Sequence, residues 1–132
     1  MTLYVDASAV VKLYVQEPES MDAAVHLRGQ WTTGRHTLVE VRRTLARSLS
    51  GSELQIARDR FADDWARTSI IELDGGVCDR AAELAESTGV RSLDAIHLAA
   101  AELVGASEHR FVTFDRRLAE AARSLGWDVL GV

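Results

Sequence analysis

Short runs of apolar and β-branched residues alternate along the chain with longer segments of mixed character. Runs of the first kind, bounded by turn residues, are typical of buried strands. They occur at 2–5, 31–33, 70–73, 111–114 and 127–130. The longer segments repeat apolar residues at helical spacing. They span 7–15, 19–27, 37–49, 53–67, 77–87, 93–104 and 116–125. This alternation predicts an α/β fold, in which a parallel sheet carries helices on both faces.

Composition places the chain among ordinary globular proteins. Its 132 residues are 47% hydrophobic and 27% charged, which excludes disordered, collagen-like and low-complexity classes. The length predicts a single domain over 1–132. No uncharged apolar stretch approaches the roughly 18 residues that a membrane helix needs. Charged residues also interrupt the apolar run near the start, where a secretory signal would lie. We therefore expect a cytoplasmic protein without membrane association.

Charge and cysteine content narrow the function classes further. The chain has 15 Lys and Arg against 20 Asp and Glu, a net charge of −5. This balance argues against nucleic-acid binding over the whole surface, although it allows a local basic patch. The single cysteine, Cys78, cannot form an internal disulfide and cannot build a cysteine-based zinc site.

Two acidic residues directly follow predicted strands. Asp6 comes after the first strand and Asp115 after the fourth. In a parallel sheet both would lie at the carboxyl edge, where ligands of such sheets bind. Each of them alone could instead be a helix N-cap, a position that favours Asp. The pair at two strand ends favours a functional site.

A third acid, Asp94, begins a helix that is apolar nearly all round. A buried carboxylate there is costly unless it is paired or binds a metal. It could also be a first-turn acid favoured by the helix dipole, with Ser92 as the cap. His97 lies three residues later and could pair with Asp94, although a satisfied, partly buried histidine is the more common case.

A fourth acid, Glu40, lies in a helix that Thr37 opens. Its spacing matches a capping box in which the glutamate reaches back to the Thr37 N–H. Glu40 could also pair with Arg43 on the same helix face. Its interest as a site residue comes from the company of Asp6, Asp94 and Asp115.

Four carboxylates at one edge would repel each other and raise each other's pKa. A hard divalent cation removes that penalty, and Mg²⁺ or Mn²⁺ prefers oxygen ligands while keeping waters for a phosphodiester substrate. Such a metal can activate a water for in-line attack. Ser8 and Thr113 lie near two of the acids and could hold that water. Arg42, Arg43, Arg116 and Arg117 could contact phosphate, although Arg116 and Arg117 could also simply solvate the helix surface.

The segments 3–9, 93–99 and 112–118, with Glu40 between them and 121–129 at the end, resemble a PIN domain, and in particular the VapC-type toxins of toxin–antitoxin pairs. The resemblance implies a three-layer α/β/α fold with a central parallel sheet of four to five strands. It implies a metal-dependent endoribonuclease whose quartet, matched here by Asp6, Glu40, Asp94 and Asp115, binds Mg²⁺ or Mn²⁺. It also implies a homodimer and a cognate VapB-like antitoxin that occupies the acidic pocket.

Two other functions compete with a ribonuclease. A haloacid-dehalogenase-like phosphatase also places an Asp after its first strand, but it normally needs a second Asp two residues later, where this chain has Ser8. A regulatory binding module would use the acids only as helix caps. A receiver-like module of that kind would be expected to carry a late lysine, whereas the only lysine here is Lys12.

Overall fold

The computed structural model of the protein describes residues 2–132, in which five strands form one sheet. The strands are Thr2–Val5 (β1), Gln30–Gly34 (β2), Ser69–Ile71 (β3), His109–Thr113 (β4) and Val129–Gly131 (β5). Their order is β3-β2-β1-β4-β5, and every neighbouring pair is parallel. The predicted parallel sheet of four to five strands is therefore confirmed.

Seven helices connect these strands within the described residues. They are Ala7–Val11 (α1), Ser20–His26 (α2), Thr37–Ser48 (α3), Gly51–Ala66 (α4), Gly75–Thr88 (α5), Ser92–Glu102 (α6) and Arg116–Ser124 (α7). Each corresponds to a helix predicted from the sequence. α1 is shorter than the predicted segment 7–15, because its chain tightens into turns beyond Val11, with Tyr14 N donating to Val11 O at 3.0 Å.

Two hydrophobic cores lie on opposite faces of the sheet. Successive residues of β1 point to opposite faces, so Leu3 and Val5 pack into one core and Tyr4 into the other. The first core takes its helical residues from α1–α4, and the second from α5–α7. The result is the three-layer α/β/α arrangement that the resemblance implied.

The last strand departs from its predicted position. Residues 127–130 were expected to be a strand, but β5 begins only at Val129. Trp127 is buried and packs edge-on against Phe111, with ring centroids 5.6 Å apart. Its apolar character therefore reflects burial in the second core and not strand pairing.

The strand order reverses at β1. The chain moves outward from β1 to β2 and β3, and then returns to the other side of β1 with β4. In such sheets the crevice at the carboxyl ends of the strands on either side of the reversal is where ligands bind. Here it lies between the ends of β1 and β4, the strands that Asp6 and Asp115 follow.

Among residues 2–132, no helix combines the length and the apolar character that crossing a bilayer requires.

Candidate active site

Asp6 lies between the last residue of β1 and the first residue of α1. Its backbone N–H still donates to Val112 O on β4 at 3.2 Å, and its side chain accepts a hydrogen bond from Ala9 N at 3.0 Å as the N-cap of α1. The side chain is buried, with 3% of the residue exposed. Burial raises the pKa of Asp6, while His97, Thr113, Ser8 and the Ala9 N–H oppose the shift. The carboxylate is therefore held rigidly at the strand end.

Two hydroxyl groups fix the Asp6 carboxylate. Ser8 Oγ lies 2.8 and 2.9 Å from its two oxygens, and Thr113 Oγ1 donates to Oδ2 at 2.7 Å. Thr113 Oγ1 also accepts from Asp115 N at 3.1 Å, and Ser8 Oγ accepts from Phe114 N at 3.0 Å. Ser8 and Thr113 thus orient Asp6 and tie it to the end of β4, and their expected role in holding a water stays a prediction.

Asp115 follows β4 and is the N-cap of α7. Its Oδ1 accepts from Leu118 N at 3.1 Å. The capping roles considered for Asp6 and Asp115 are therefore both confirmed, and the two residues nevertheless lie at the same edge of the sheet. A cap uses only part of a carboxylate's accepting capacity, so it is compatible with a second role.

Asp94 lies in the first turn of α6 and is half-buried. Burial first, and then the negative charges of Asp115 and Glu40, raise its pKa to about 6, while Arg91 opposes the shift. The N-cap of α6 is Arg91, so the expected cap at Ser92 is wrong. The charges of Asp115 and Glu40 thus act on Asp94. Among residues 2–132, however, no three of the four acids have ligand atoms within 4.8 Å of one another.

Glu40 does not form the expected capping box. His36 is the N-cap of α3, and the Thr37 hydroxyl lies 2.7 Å from that of Thr33. Glu40 Oε1 instead lies 2.9 Å from His97 Nε2. Burial raises the pKa of Glu40, and His36 opposes the shift. The expected pair with Arg43 is not among the ion pairs of residues 2–132, because Glu40 faces α6 whereas Arg43 is exposed.

A chain of hydrogen bonds orients Glu40 from the sheet. Gly34 N donates to Tyr4 Oη at 3.2 Å, and Tyr4 Oη lies 2.8 Å from His97 Nδ1. Burial lowers the pKa of His97 to about 4, so its ring is neutral at pH 7. Burial also raises the pKa of Tyr4, so its hydroxyl keeps its proton. Tyr4 can then donate to Nδ1 while Nε2–H donates to Glu40.

His97 does not pair with Asp94, although the two lie three residues apart. Its ring is 1% exposed and both of its nitrogens are engaged, by Tyr4 and by Glu40. The alternative of a satisfied histidine is confirmed, with deeper burial than expected. Its partners are far away in sequence, so only the fold brings them together.

Sequence reasoning missed Lys12 as a neighbour of this site. Lys12 lines a cavity of about 320 Å³ together with Ser8 and Glu40. Its ammonium group contacts Glu17 and lies 5.2 Å from the centre of the Phe114 ring. Because Lys12 comes four residues after Ser8, helical spacing from Ser8 was the signal that could have identified it.

The four arginines predicted to meet phosphate are all exposed. Arg42 and Arg43 lie on α3, and Arg116 and Arg117 occupy the first turn of α7 directly after Asp115. Arg117 lines a separate hollow of about 410 Å³ between the end of α5 and α7.

Comparison with known proteins identifies the family. Residues 3–124 match the family model described as PIN domain. The chain is 35% identical over 130 residues to a protein named Ribonuclease VapC46 from Mycobacterium tuberculosis, covering 97% of this chain and 95% of the relative. Its fold resembles FitAcB from Neisseria gonorrhoeae, with a TM-score of 0.74, 18% identity and coverage of 98% and 96%.

A second solved structure, a toxin–antitoxin complex from Klebsiella pneumoniae, matches with a TM-score of 0.66 and 18% identity, covering 86% of each chain. Because each of the two solved structures is only 18% identical to this chain, they support the fold alone. The family model and the 35% identical relative carry the assignment. The chain belongs to the PIN-domain family and, within it, to the VapC group.

Proposed function

We propose that this protein is a divalent-metal-dependent endoribonuclease and the toxin of a toxin–antitoxin pair. The observation that carries the proposal is the hydrogen-bond network at the ends of β1 and β4, in which Thr113 Oγ1 donates to the Asp6 carboxylate and accepts from Asp115 N. Burial, together with the charges of Asp115 and Glu40, also raises the pKa of Asp94. Carboxylates that repel one another destabilise a fold unless a cation joins them. The relative named Ribonuclease VapC46 supports the same activity.

The donor set suits a hard divalent ion. Asp6, Glu40, Asp94 and Asp115 offer carboxylate oxygens, which are the ligands that Mg²⁺ and Mn²⁺ prefer. We assign these four residues as metal ligands. The bound ion would supply activation of a water as the nucleophile and neutralise charge on the phosphodiester.

The residues of this chain divide the remaining work. Asp6 provides a rigid anchor, because Ser8, Thr113 and the Ala9 N–H fix the orientation of its carboxylate. Asp94 is only half-buried, so it stays accessible to substrate. His97 holds Glu40 through its Nε2.

RNA would reach this acidic edge through positive side chains around it. Arg42, Arg43, Arg116 and Arg117 are exposed and free to meet phosphate oxygens, and arginine binds phosphate in a bidentate manner. Replacing them with glutamine should weaken RNA binding and flatten its salt dependence, because each phosphate contact releases counterions. Unchanged binding measured by fluorescence anisotropy across a salt series would remove them from the RNA path.

The principal test is cleavage of single-stranded RNA by purified protein with Mg²⁺, with Mn²⁺ and with chelator. Cleavage should require the metal and should disappear in Asp6→Asn and Asp94→Asn proteins that remain folded. Asp79→Asn, at an exposed position on α5, is the matched control and should cleave like the unmodified protein. Cleavage that persists in chelator, or in Asp94→Asn, would refute the proposal.

The two rival functions lack support from these findings. A phosphatase of this type needs a second Asp two residues after Asp6, but Ser8 occupies that position and hydrogen-bonds to the Asp6 carboxylate. A module using its acids only as caps does not account for Glu40 and Asp94, which cap neither of their helices.

A homodimer and a VapB-like antitoxin complete the proposal. The solved Klebsiella pneumoniae neighbour is a toxin–antitoxin complex, and the antitoxin would cover the acidic edge of this protein. Light scattering of the purified chain should give twice the monomer mass. Co-expression with the product of an adjacent short reading frame should yield a complex that does not cleave RNA.

A further inference from the structure

Three potential metal ligands meet beside the carboxylate quartet. One ligand atom each from His36, Glu40 and His97 lies within 4.8 Å of the other two. Glu40 Oε1 is 3.7 Å from His36 Nε2 and 2.9 Å from His97 Nε2, and the two imidazole rings have centroids 4.0 Å apart. His36 and Glu40 are four residues apart at the start of α3, so one helix face presents both.

No well-formed hydrogen bond accounts for the burial of His36, although its ring lies near Glu40 and the main chain of Leu93. The residue is 8% exposed, and both ring nitrogens are buried without a well-formed hydrogen bond among the described residues. Buried polar atoms of this kind are costly and rare in native proteins. Its ring also rests against Gly34, where a Cβ atom would come within 2.6 Å of two ring atoms. The sheet end thus leaves room for an imidazole that forms no hydrogen bond there.

The donor chemistry differs from that of the carboxylate quartet. Two imidazole nitrogens and one carboxylate oxygen suit borderline ions such as Zn²⁺ better than Mg²⁺. Two histidines, one glutamate and an open fourth position for water form a common zinc ligand set. We propose that His36, Glu40 and His97 bind Zn²⁺, and that this binding inhibits the enzyme by removing Glu40 from the Mg²⁺ site.

The protonation states balance without loss of a proton. Ligation through His97 Nε2 requires the ring proton to move to Nδ1, where Tyr4 Oη, 2.8 Å away, can accept it in a hydrogen bond. Metal-binding histidines usually donate their second N–H to such a partner. Glu40 then exchanges its hydrogen bond with His97 for a bond to the ion. The inhibitory part rests on the proposed ribonuclease function, whereas the binding site does not.

The binding test uses metal-free full-length protein and Zn²⁺ alone, with competition from a chromogenic chelator as the readout. We expect one Zn²⁺ per chain, and affinity at least about 100-fold weaker in His36→Gln, since even loss of an outer-shell partner costs 10–100-fold. His26→Gln, at the end of α2, is the matched control and should bind like the unmodified protein. Asp94→Asn should also keep the site.

Three further measurements separate loss of the metal site from a folding defect. Circular dichroism should show that His36→Gln keeps its helical content. Gly34→Ala keeps all three ligands but crowds the His36 ring, so it should also weaken binding. Co²⁺ bound in place of Zn²⁺ should give the absorption bands of a nitrogen-ligated ion, and His36→Gln should lose them. Binding unchanged in His36→Gln, or lost in Asp94→Asn, would overturn the proposal.

The inhibition test measures RNA cleavage in excess Mg²⁺ as Zn²⁺ is added. Zn²⁺ should stop cleavage by the unmodified protein and by His26→Gln, and should leave the rate of folded His36→Gln unchanged. Equal inhibition of all three proteins would refute inhibition through this site. Absence of any cleavage would refute the proposed function instead, and the Zn²⁺ titration would still decide whether the site exists.

Discussion

Replacement of Asp94 by asparagine tests whether the surroundings of this carboxyl raise its pKa. The folded protein raises the pKa of this carboxyl from 3.8 to about 6. Since the folded state holds the proton more tightly than the unfolded chain, stability due to Asp94 falls as pH rises from about 4 to about 6 and then levels off. Asparagine cannot ionise, so Asp94→Asn escapes this loss.

The magnitude follows from the same shift. One pKa unit corresponds to about 1.36 kcal/mol, so the full rise would correspond to about 3 kcal/mol at neutral pH. Asp94 is only half-buried, and solvent screening reduces this to about 1 kcal/mol. The free energy of unfolding of Asp94→Asn, relative to the unmodified protein, should therefore increase by about 1 kcal/mol between pH 4 and pH 7.5.

Urea denaturation in chelator at a series of pH values measures this difference. Asp79→Asn controls for loss of a surface charge and should show little change, because such substitutions usually stay within about 0.5 kcal/mol. Mg²⁺ at pH 7.5 should stabilise the unmodified protein more than Asp94→Asn, because the ion binds only the folded state. A stability difference that is independent of pH, or that falls as pH rises, would show that the folded protein does not raise the pKa of Asp94.

Three other substitutions test the fold around the site by urea denaturation. Thr113→Val removes the hydroxyl that donates to Asp6 and accepts from Asp115 N, and should lower the free energy of unfolding by about 1.5–3 kcal/mol, as expected for a hydrogen bond to a charged group. An unchanged denaturation midpoint would contradict the network. Gly131→Ala places a Cβ 2.0 Å from Thr113 O at a φ of +114°, and should lower the free energy of unfolding by well over about 1 kcal/mol. An unchanged free energy of unfolding in this variant would contradict the close approach of β5 to β4. Phe61→Ala leaves a cavity at a position that is 1% exposed, and should lower the free energy of unfolding by about 3–5 kcal/mol. The pH dependence of stability that comes from Asp94 should persist in this variant. A loss below about 1 kcal/mol would place Phe61 outside the core.

The sequence predicts the backbone of this site better than its side-chain contacts. Asp6 and Asp115 could be placed at one edge because each directly follows a strand of a parallel sheet. Asp94 was a candidate because a carboxylate on an apolar helix is costly, although a first-turn acid explained it equally well. The local pattern favoured a capping box for Glu40, and the resemblance supported its place in the site. The prediction that residues 1–132 form one domain stays a prediction.

The contacts of Glu40 depend on long-range packing that no local pattern reports. Its partner His97 is 57 residues away, and the partner of His97 on β1, Tyr4, is 93 residues away. Spacing along α6 suggested Asp94 as the partner of His97, but burial of α6 against the sheet turns the ring toward Tyr4 instead. No sequence pattern predicted that the His36 ring would be buried, because its burial depends on the absence of a side chain at Gly34.

Because Asp6 and Asp115 cap helices, these two residues can be preserved for folding even where catalysis has been lost. A copy of this gene that had lost its enzymatic role would still gain about 1 kcal/mol from each capping aspartate, so selection for folding alone would keep both. Glu40 and Asp94 cap nothing, and Asp94 is a burden on the metal-free fold. Glu40 still satisfies the buried Nε2 of His97, so in degenerating copies Asp94 should be the first of the four acids to change, which makes it the better indicator of a working enzyme.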